Sequence, residues 1–114
     1  MTTLRADGSP HTTPTWFLFH QNCIWVASGA RNRKVINLTG DPRASIAIDG
    51  SHPSPLVAQA RATVVELADV PPLVVEGLAK KYGGWDVHDN SVDGHRVALK
   101  MPIDKWLLGG ISPE

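Results

Sequence analysis

The residues best suited to chemistry form a basic cluster in the first half of the chain. Four of the eleven Lys and Arg residues fall within thirteen positions that contain one acid, Asp41, leaving a local charge of +3 on a chain of zero formal net charge: Arg31, Arg33, Lys34 and Arg43. The planar guanidinium group of Arg33 and the ammonium group of Lys34 suit phosphate oxygens, and the hydroxyl group of Ser28 can donate another hydrogen bond. These residue types predict an anion site, with a solvated basic turn as the alternative.

The surrounding sequence predicts the elements that would position this cluster. A strand is predicted over 25–28, followed by a glycine-containing turn, a short amphipathic helix over about 33–38 and another strand over 44–49. A turn that leads into a helix presents unpaired backbone N–H groups and the positive end of the helix dipole, each worth roughly 0.3–1 kcal/mol toward an anion. The resulting hypothesis is half of a cofactor phosphate cradle.

No set of side chains in the sequence has the spacing of a catalytic or metal centre. The five histidines are scattered, at positions 11, 20, 52, 88 and 95, and Asp86, Asp89 and Asp93 are interpreted as a solvated acidic turn. The single cysteine, Cys23, excludes an internal disulfide and is interpreted as a small core residue. An anion cradle without acid–base apparatus leaves the chemistry to a cofactor, so catalytic residues stay unassigned and no metal is predicted.

Length and composition predict one ordinary globular domain over residues 1–114, with 42% hydrophobic and 19% charged residues. Eleven basic residues balance eleven acidic ones, which argues against nucleic acid as the main partner. We find no signal peptide and no apolar run of about 18 residues, so no membrane interaction is expected and the default location is cytoplasmic.

Hydrophobic patterning predicts a mainly β fold. Hairpin turns are expected at Asp7-Gly8-Ser9 and Gln21-Asn22, and Asp69 is expected to cap a longer helix with an apolar stripe of Val75, Leu78, Ala79 and Tyr82. Strands at close spacing with few intervening helices favour a small antiparallel barrel, which removes exposed edges. We therefore predict a six-stranded antiparallel barrel with one short and one longer helix, the strands lying at 2–6, 11–20, 23–28, 44–49, 56–67 and 95–101.

The predicted pairing of the second and third strands extends the candidate site. It places four residues beside Ala27 and Ser28, close to the basic turn: Thr13, Pro14, Thr15 and Trp16. A flat ligand attached to a bound phosphate would lie along this backbone. In the fifth predicted strand, the small side chains of Ala58, Ala60 and Ala62 share one face, which indicates close packing against another surface, with a second subunit as one option.

Two motifs then resemble a known family. The first is Asp7, Gly8, Pro10, His11, Pro14, Trp16 and Phe17; the second is Arg33, Lys34, Val35, Asn37, Leu38, Asp41, Pro42 and Arg43. Together with the strand VAQARATVVEL, they resemble the pyridoxamine 5′-phosphate oxidase-like split β-barrel superfamily, and are most similar to its flavin/deazaflavin oxidoreductase branch. The resemblance covers about residues 4–67.

The resemblance implies a homodimer of split barrels with two cofactors at the subunit interface. The cofactor would be FMN or the deazaflavin F420, with the RKVxNL form leaning toward F420. Its phosphate would be held by Ser28, Arg33 and Lys34 and its ring by the 13–16 segment, with Ala27 and Asn37 as further cofactor-binding positions. Family members usually carry a helix before the first strand, whereas this sequence begins at the strand; either the start is misassigned or the barrel mouth is more open.

Three functions stay open at this point. The first is an oxidoreductase that exchanges hydride with a small organic substrate. The second is a non-catalytic protein that holds a flavin, haem or tetrapyrrole on the same barrel, and the third is a structural dimer with a degenerate site. The substrate would be selected by loops around 51–55 and 85–94, in which the sequence shows no readable code.

Overall fold

The structure, a computed structural model, describes residues 1–48, 56–81 and 93–108. The predicted loop around 51–55 and the part of the 85–94 loop up to residue 92 lie outside these residues, as do Tyr82, His52, His88, Asp86 and Asp89. Within them the elements are β1 (Thr2–Leu4), β2 (Pro10–Thr12), β3 (Leu18–His20), β4 (Cys23–Gly29), α1 (Arg33–Gly40), β5 (Arg43–Ile48), β6 (Leu56–Arg61), β7 (Thr63–Glu66), a 3-10 turn (Leu67–Asp69), α2 (Pro72–Lys81) and β8 (Arg96–Leu108).

The strands form one antiparallel sheet that is organised around β8. The order along the sheet is β2-β1-β5-β6-β8-β4-β3, and β7 also pairs with β8. The first half of β8 pairs with β4, from Arg96 opposite Gly29 to Pro102 opposite Cys23. Its second half pairs with β6, up to Leu108 opposite Leu56. The predicted class, a mainly β antiparallel split barrel with one short and one longer helix, is confirmed.

The number of strands is eight in the described residues rather than the predicted six, because two predicted strands are divided. Residues 13–17 separate β2 from β3 and form no strand, and Pro14 has no N–H group to donate to a ladder. In the second case, Ala62 separates β6, which pairs with the second half of β8, from β7, which pairs with its first half. Alternation of side chains continues across both breaks, which explains why the sequence pattern did not reveal them.

The two predicted hairpin turns are confirmed. Gln21 and Asn22 both adopt positive φ, 50° and 61°, as a two-residue hairpin turn requires. In the turn between β1 and β2, the carboxylate of Asp7 accepts hydrogen bonds from the backbone N–H of Ser9 at 2.9 Å and from its hydroxyl at 2.6 Å.

The main core lies between the sheet and α1, and β6 supplies part of it. Ala58, Ala60 and Ala62 are buried there together with side chains from β4 and β8. Close packing of this small-residue face is therefore confirmed, but the surface that it contacts is the core of the same chain rather than a second subunit.

A second apolar layer lies on the other face of the sheet, beneath α2. Val74 and Leu78 of this helix are buried against Trp25 of β4 and Ala98 of β8. Of the predicted stripe, Leu78 is buried and Val75 packs against the same cluster, whereas the buried Val74 was not predicted. β4 contributes side chains to both layers, and this packing holds the end of the strand, from which the turn to α1 begins.

Candidate functional site: the start of helix α1

The predicted helix start is confirmed, and its first turn is capped. Asn32 is the N-cap residue, and its side-chain oxygen accepts a hydrogen bond from the backbone N–H of Lys34 at 3.3 Å. Arg33 is exposed on the outer side of the helix, whereas Lys34 turns inward and is only 8% exposed. Consecutive helix positions point about 100° apart, so the two cations flank the first turn rather than pointing the same way.

Lys34 is a cation held largely out of water. Its ammonium group donates to the side-chain oxygen of Asn32 at 3.4 Å, and among the described residues it forms no ion pair. Burial lowers the pKa of Lys34; the charge of Asp93 partly offsets this, and that of Arg96 adds to it. Because a buried cation without a paired acid favours an anion in contact with it, the environment of Lys34 fits a phosphate group.

Arg33 lies on the edge of a separate surface groove. This cavity of about 620 Å³ lies between the β1–β2 turn and α1, and Lys34 is not among its lining residues. In the described residues the guanidinium groups of Arg31 and Arg33 form no ion pair. Two exposed guanidinium groups and one buried ammonium group therefore surround the start of α1.

Arg43 does not belong to this group of cations, which corrects the four-residue basic cluster of the sequence analysis. Its guanidinium group lies 2.8 Å from the carboxylate of Asp41. Hydrogen bonds from the side chain and backbone of Arg43 lower the pKa of Asp41 to about 2. Asp41 and Arg43 thus satisfy each other, and the charge available to an anion comes from Arg31, Arg33 and Lys34.

Ala27 and Ser28 lie at the end of β4 on opposite faces of the sheet. Ser28 is buried, and its hydroxyl donates to the carbonyl of Gly29 at 3.3 Å. Ala27 packs in the layer beneath α2. Of the two, only Ser28 lies on the face that also carries the main core and α1.

The predicted pairing of residues 13–16 with Ala27 and Ser28 is wrong. The ladder between β3 and β4 begins with Leu18 opposite Trp25 and includes no earlier residue. Thr13 instead exchanges backbone hydrogen bonds with Met1, at 3.0 and 2.8 Å. The peptide groups from Pro14 to Trp16 are left outside the sheet.

Lys81 fixes the end of the 13–17 segment. The ammonium group of Lys81, at the end of α2, donates to the carbonyl of Phe17 at 2.8 Å and lies 3.6 Å from the centre of the Phe17 ring. Pro14 and Trp16 are exposed, and Thr13 and Thr15 are half-buried. The segment therefore presents the exposed ring of Trp16 beside the sheet, even though it is not a strand.

Asn37 lies on the inner side of α1. It is buried, and its side-chain NH₂ group donates to the hydroxyl of Thr3 at 3.0 Å, which fastens α1 to β1. Its role as a cofactor-binding residue stays a prediction.

Asp93 and Arg96 are residues of the site that the sequence analysis missed. The backbone carbonyl of Asp93 accepts from the N–H of Arg31 at 2.9 Å, and its carboxylate accepts from the side-chain NH₂ group of Asn32 at 3.3 Å. The same carboxylate is 3.3 Å from the guanidinium group of Arg96. Asp93 is therefore a half-buried anchor rather than part of a solvated acidic turn, and the Asp93-Gly94 dipeptide before β8 is the signal for such a tight turn.

Gly29 permits this close approach. A Cβ atom at Gly29 would overlap the side chain and the carbonyl oxygen of Asp93. The turn after β4 is thus pressed against the segment that leads into β8.

The described residues hold neither a cluster of metal ligands nor a membrane-spanning helix. Residues 1–48, 56–81 and 93–108 contain no group of three His, Cys, Asp or Glu side chains that could hold a metal ion. In the same ranges, no helix has the length and apolarity needed to cross a membrane.

The family profile of pyridoxamine 5′-phosphate oxidase matches residues 1–108, nearly the whole chain. The chain therefore belongs to this family, as its two motifs indicated. No curated protein matches the sequence.

Solved structures show the same fold. An F420 reductase is 19% identical over 93% of this chain and 85% of its own, with a TM-score of 0.74. The heme storage protein HutZ from Vibrio cholerae is also 19% identical, over 97% and 84% of the two chains, with a TM-score of 0.74. A conserved hypothetical protein from Mycobacterium tuberculosis is 23% identical over 95% and 73%, with a TM-score of 0.72. At these identities the likeness concerns the fold.

Proposed function

We propose that this protein is an oxidoreductase that binds a flavin-type cofactor, F420 or FMN, with the cofactor phosphate at the start of α1. The observation that carries the proposal is Lys34, a buried cation at a helix N-terminus that forms no ion pair in the described residues. Membership of the pyridoxamine 5′-phosphate oxidase family supports a flavin-type ligand.

The residues at this turn have distinct roles in the proposal. Lys34 supplies a desolvated positive charge, and Arg33 supplies a flexible guanidinium fork from the surface. The hydroxyl of Ser28, at the end of β4, would turn from the carbonyl of Gly29 to donate to the phosphate, and the N-terminal end of α1 adds its dipole. Lys34 and Ser28 are both buried, so their polar groups would meet the phosphate largely out of water.

The 13–16 segment would orient the cofactor ring. The segment lies outside the sheet, and the exposed Trp16 can exclude water from one side of a flat ring. The cofactor, when bound, supplies the hydride-transfer chemistry, and this chain supplies binding, orientation and exclusion of water. A small organic molecule is the proposed substrate.

A second copy of the chain is the proposed partner. Trp16, Phe19 and Trp106 are 49%, 51% and 37% exposed, and the rings of Phe19 and Trp106 lie 6.3 Å apart. Exposed aromatic groups of this kind are typical of the centre of a protein interface. In a homodimer, residues of the partner would complete the ring site beside Trp16.

The proposal is tested by parallel titration with FMN and with F420, followed by cofactor fluorescence. The Arg33→Ala/Lys34→Ala variant is expected to lose the affinity. The matched control is Arg5→Ala/Arg43→Ala, which removes two arginines that are bonded to Pro10 and Asp41. If both double variants lose cofactor affinity, the loss reflects general electrostatics rather than a phosphate site. If the wild type binds neither cofactor, the proposal is refuted.

A non-catalytic carrier of haem or another tetrapyrrole is the second candidate. The heme storage protein and the F420 reductase have equal TM-scores to this chain, so the fold supports both functions alike. Titration with haem, followed by absorbance, and turnover of a substrate with reduced cofactor separate the two functions.

A further inference from the structure

We propose that Asp93 is a positioning residue of the anion site, which aims Lys34 through the side chain of Asn32. This inference rests on the proposed function, since it concerns the same phosphate site. Asp93 lies 59 positions from Lys34 in the chain, at the entry to β8, and it belongs to neither of the two sequence motifs.

The first step is the orientation of the Asn32 amide. A carboxylate can only accept hydrogen bonds, so the group of Asn32 that faces Asp93 must be its NH₂ group, at 3.3 Å. The oxygen of the same amide is thereby directed to the other side. There it accepts from the backbone N–H of Lys34 at 3.3 Å and from the Lys34 ammonium group at 3.4 Å.

The second step is what holds Asp93 itself. Its carboxylate lies 3.3 Å from the guanidinium group of Arg96, and the side chains of these two residues are 26% and 14% exposed. The backbone N–H groups of Arg31 and Ala30 donate to the carbonyls of Asp93 and His95 at 2.9 and 2.8 Å. The turn before α1 is therefore tied to the residues that precede β8 by backbone as well as side-chain contacts.

The two steps form a continuous series of contacts from Arg96 through Asp93 and Asn32 to Lys34. Without the Asp93 carboxylate, the side-chain amide of Asn32 is held only through its oxygen, by the two donors of Lys34. The amide is then less firmly fixed, and rotamers that break its bonds to Lys34 become more populated. The helix cap would be weakened, and Lys34 would spend less time in the position in which it meets an anion.

The alternative role of Asp93 is that of a simple negative charge beside an anion site. The two roles predict opposite results. A positioning residue strengthens phosphate binding, so its removal weakens affinity. A repelling charge opposes phosphate binding, so its removal strengthens affinity.

The experiment compares Asp93→Ala and Asp93→Asn with the wild type, using FMN and F420 as probes. We expect Asp93→Ala to weaken cofactor affinity about tenfold, the usual effect of losing a hydrogen bond to a charged group. Asp93→Asn keeps one acceptor oxygen for Asn32 and is expected to retain more of the affinity. Asp104→Ala is the matched control, because it removes an exposed acid from the same strand near its other end.

A second readout does not depend on the cofactor. Hydrogen exchange of the Lys34 amide can be followed by NMR. In Asp93→Ala it is expected to accelerate about fivefold, because the bond from this amide to the Asn32 side chain is weakened. Core amides of β4 are expected to keep their protection. Asp93→Asn is expected to show a smaller change, and this variant also covers the case in which Asp93→Ala fails to fold.

The possible outcomes are distinct. If both Asp93 variants bind the cofactor as tightly as the wild type or more tightly, the positioning role is overturned and the proposed function is left intact. If wild-type protein binds neither FMN nor F420, the proposed function fails; unchanged exchange of the Lys34 amide would then overturn the positioning of Lys34 as well.

Discussion

Replacing Gly29 by alanine tests how closely the turn before α1 is held against Asp93. The added methyl group would overlap both the carboxyl group and the backbone carbonyl oxygen of Asp93. Because one of the opposing atoms belongs to the backbone, a change of side-chain rotamer cannot remove the overlap. The segment that leads into β8 must move away from β4.

The cost of this movement has two parts. Overpacking of a well-packed site costs about 1–3 kcal/mol. The hydrogen bond from Arg31 to Asp93, at 2.9 Å, lies in the same contact, and its loss adds about 1 kcal/mol. For a domain of this size, about 2–4 kcal/mol corresponds to a decrease in melting temperature of about 8–16 °C.

Gly40→Ala is the matched control, since it makes the same chemical change at the last residue of α1. No atom lies within 4 Å of a Cβ atom built at Gly40. Alanine there is expected to stabilise the helix by about 0.5–1 kcal/mol and to raise the melting temperature by a few degrees. Thermal unfolding followed by circular dichroism compares the two variants, and equal melting temperatures would refute the close contact between Gly29 and Asp93.

Three further predictions concern other contacts. Lys34→Met is expected to raise the melting temperature at neutral pH and to abolish phosphate binding. Because burial lowers the native pKa of Lys34, the native state binds fewer protons than the unfolded state between that pKa and 10.5. The stability of the wild type relative to the variant should therefore rise with pH across this window, which urea unfolding at several pH values measures. Asn37→Ala should reduce the free energy of unfolding by about 1–3 kcal/mol, because it leaves the hydroxyl of Thr3 buried without its donor; urea unfolding checks this, and a loss below about 0.5 kcal/mol would contradict it. Phe19→Lys beside Trp106 should shift the proposed dimer toward monomer in analytical ultracentrifugation without changing the far-ultraviolet circular dichroism, and an unchanged sedimentation coefficient would exclude this face as the interface.

The features that the sequence predicted correctly depend on neighbouring residues. The short helix predicted over about 33–38 is amphipathic as expected, with Val35 and Leu38 buried and Arg33 exposed. The hairpin turn at Gln21-Asn22 follows from residues that tolerate positive φ. Each of these signals spans fewer than ten residues.

The features that the sequence analysis missed depend on contacts between distant segments. Asp93 meets Asn32 across 61 positions, and no local pattern reports that contact. Likewise, the period-two alternation from Ala58 to Val64 continues through Ala62, so the break between β6 and β7 has no local signature. Pro14 has no N–H group for a ladder, but a single proline does not indicate that residues 13–17 leave the sheet altogether.

The central position of β8 also has a consequence for folding. Strands β4, β6 and β7 all pair with this one strand, and the partners of Cys23 and Leu56 are Pro102 and Leu108. A growing chain therefore holds three strands with open edges until residues 96–108 have left the ribosome, and the pairings form between positions that are far apart in sequence. Folding should accordingly be slow for a chain of this length and should occur as one cooperative event, and products truncated before β8 are expected to aggregate or to be degraded.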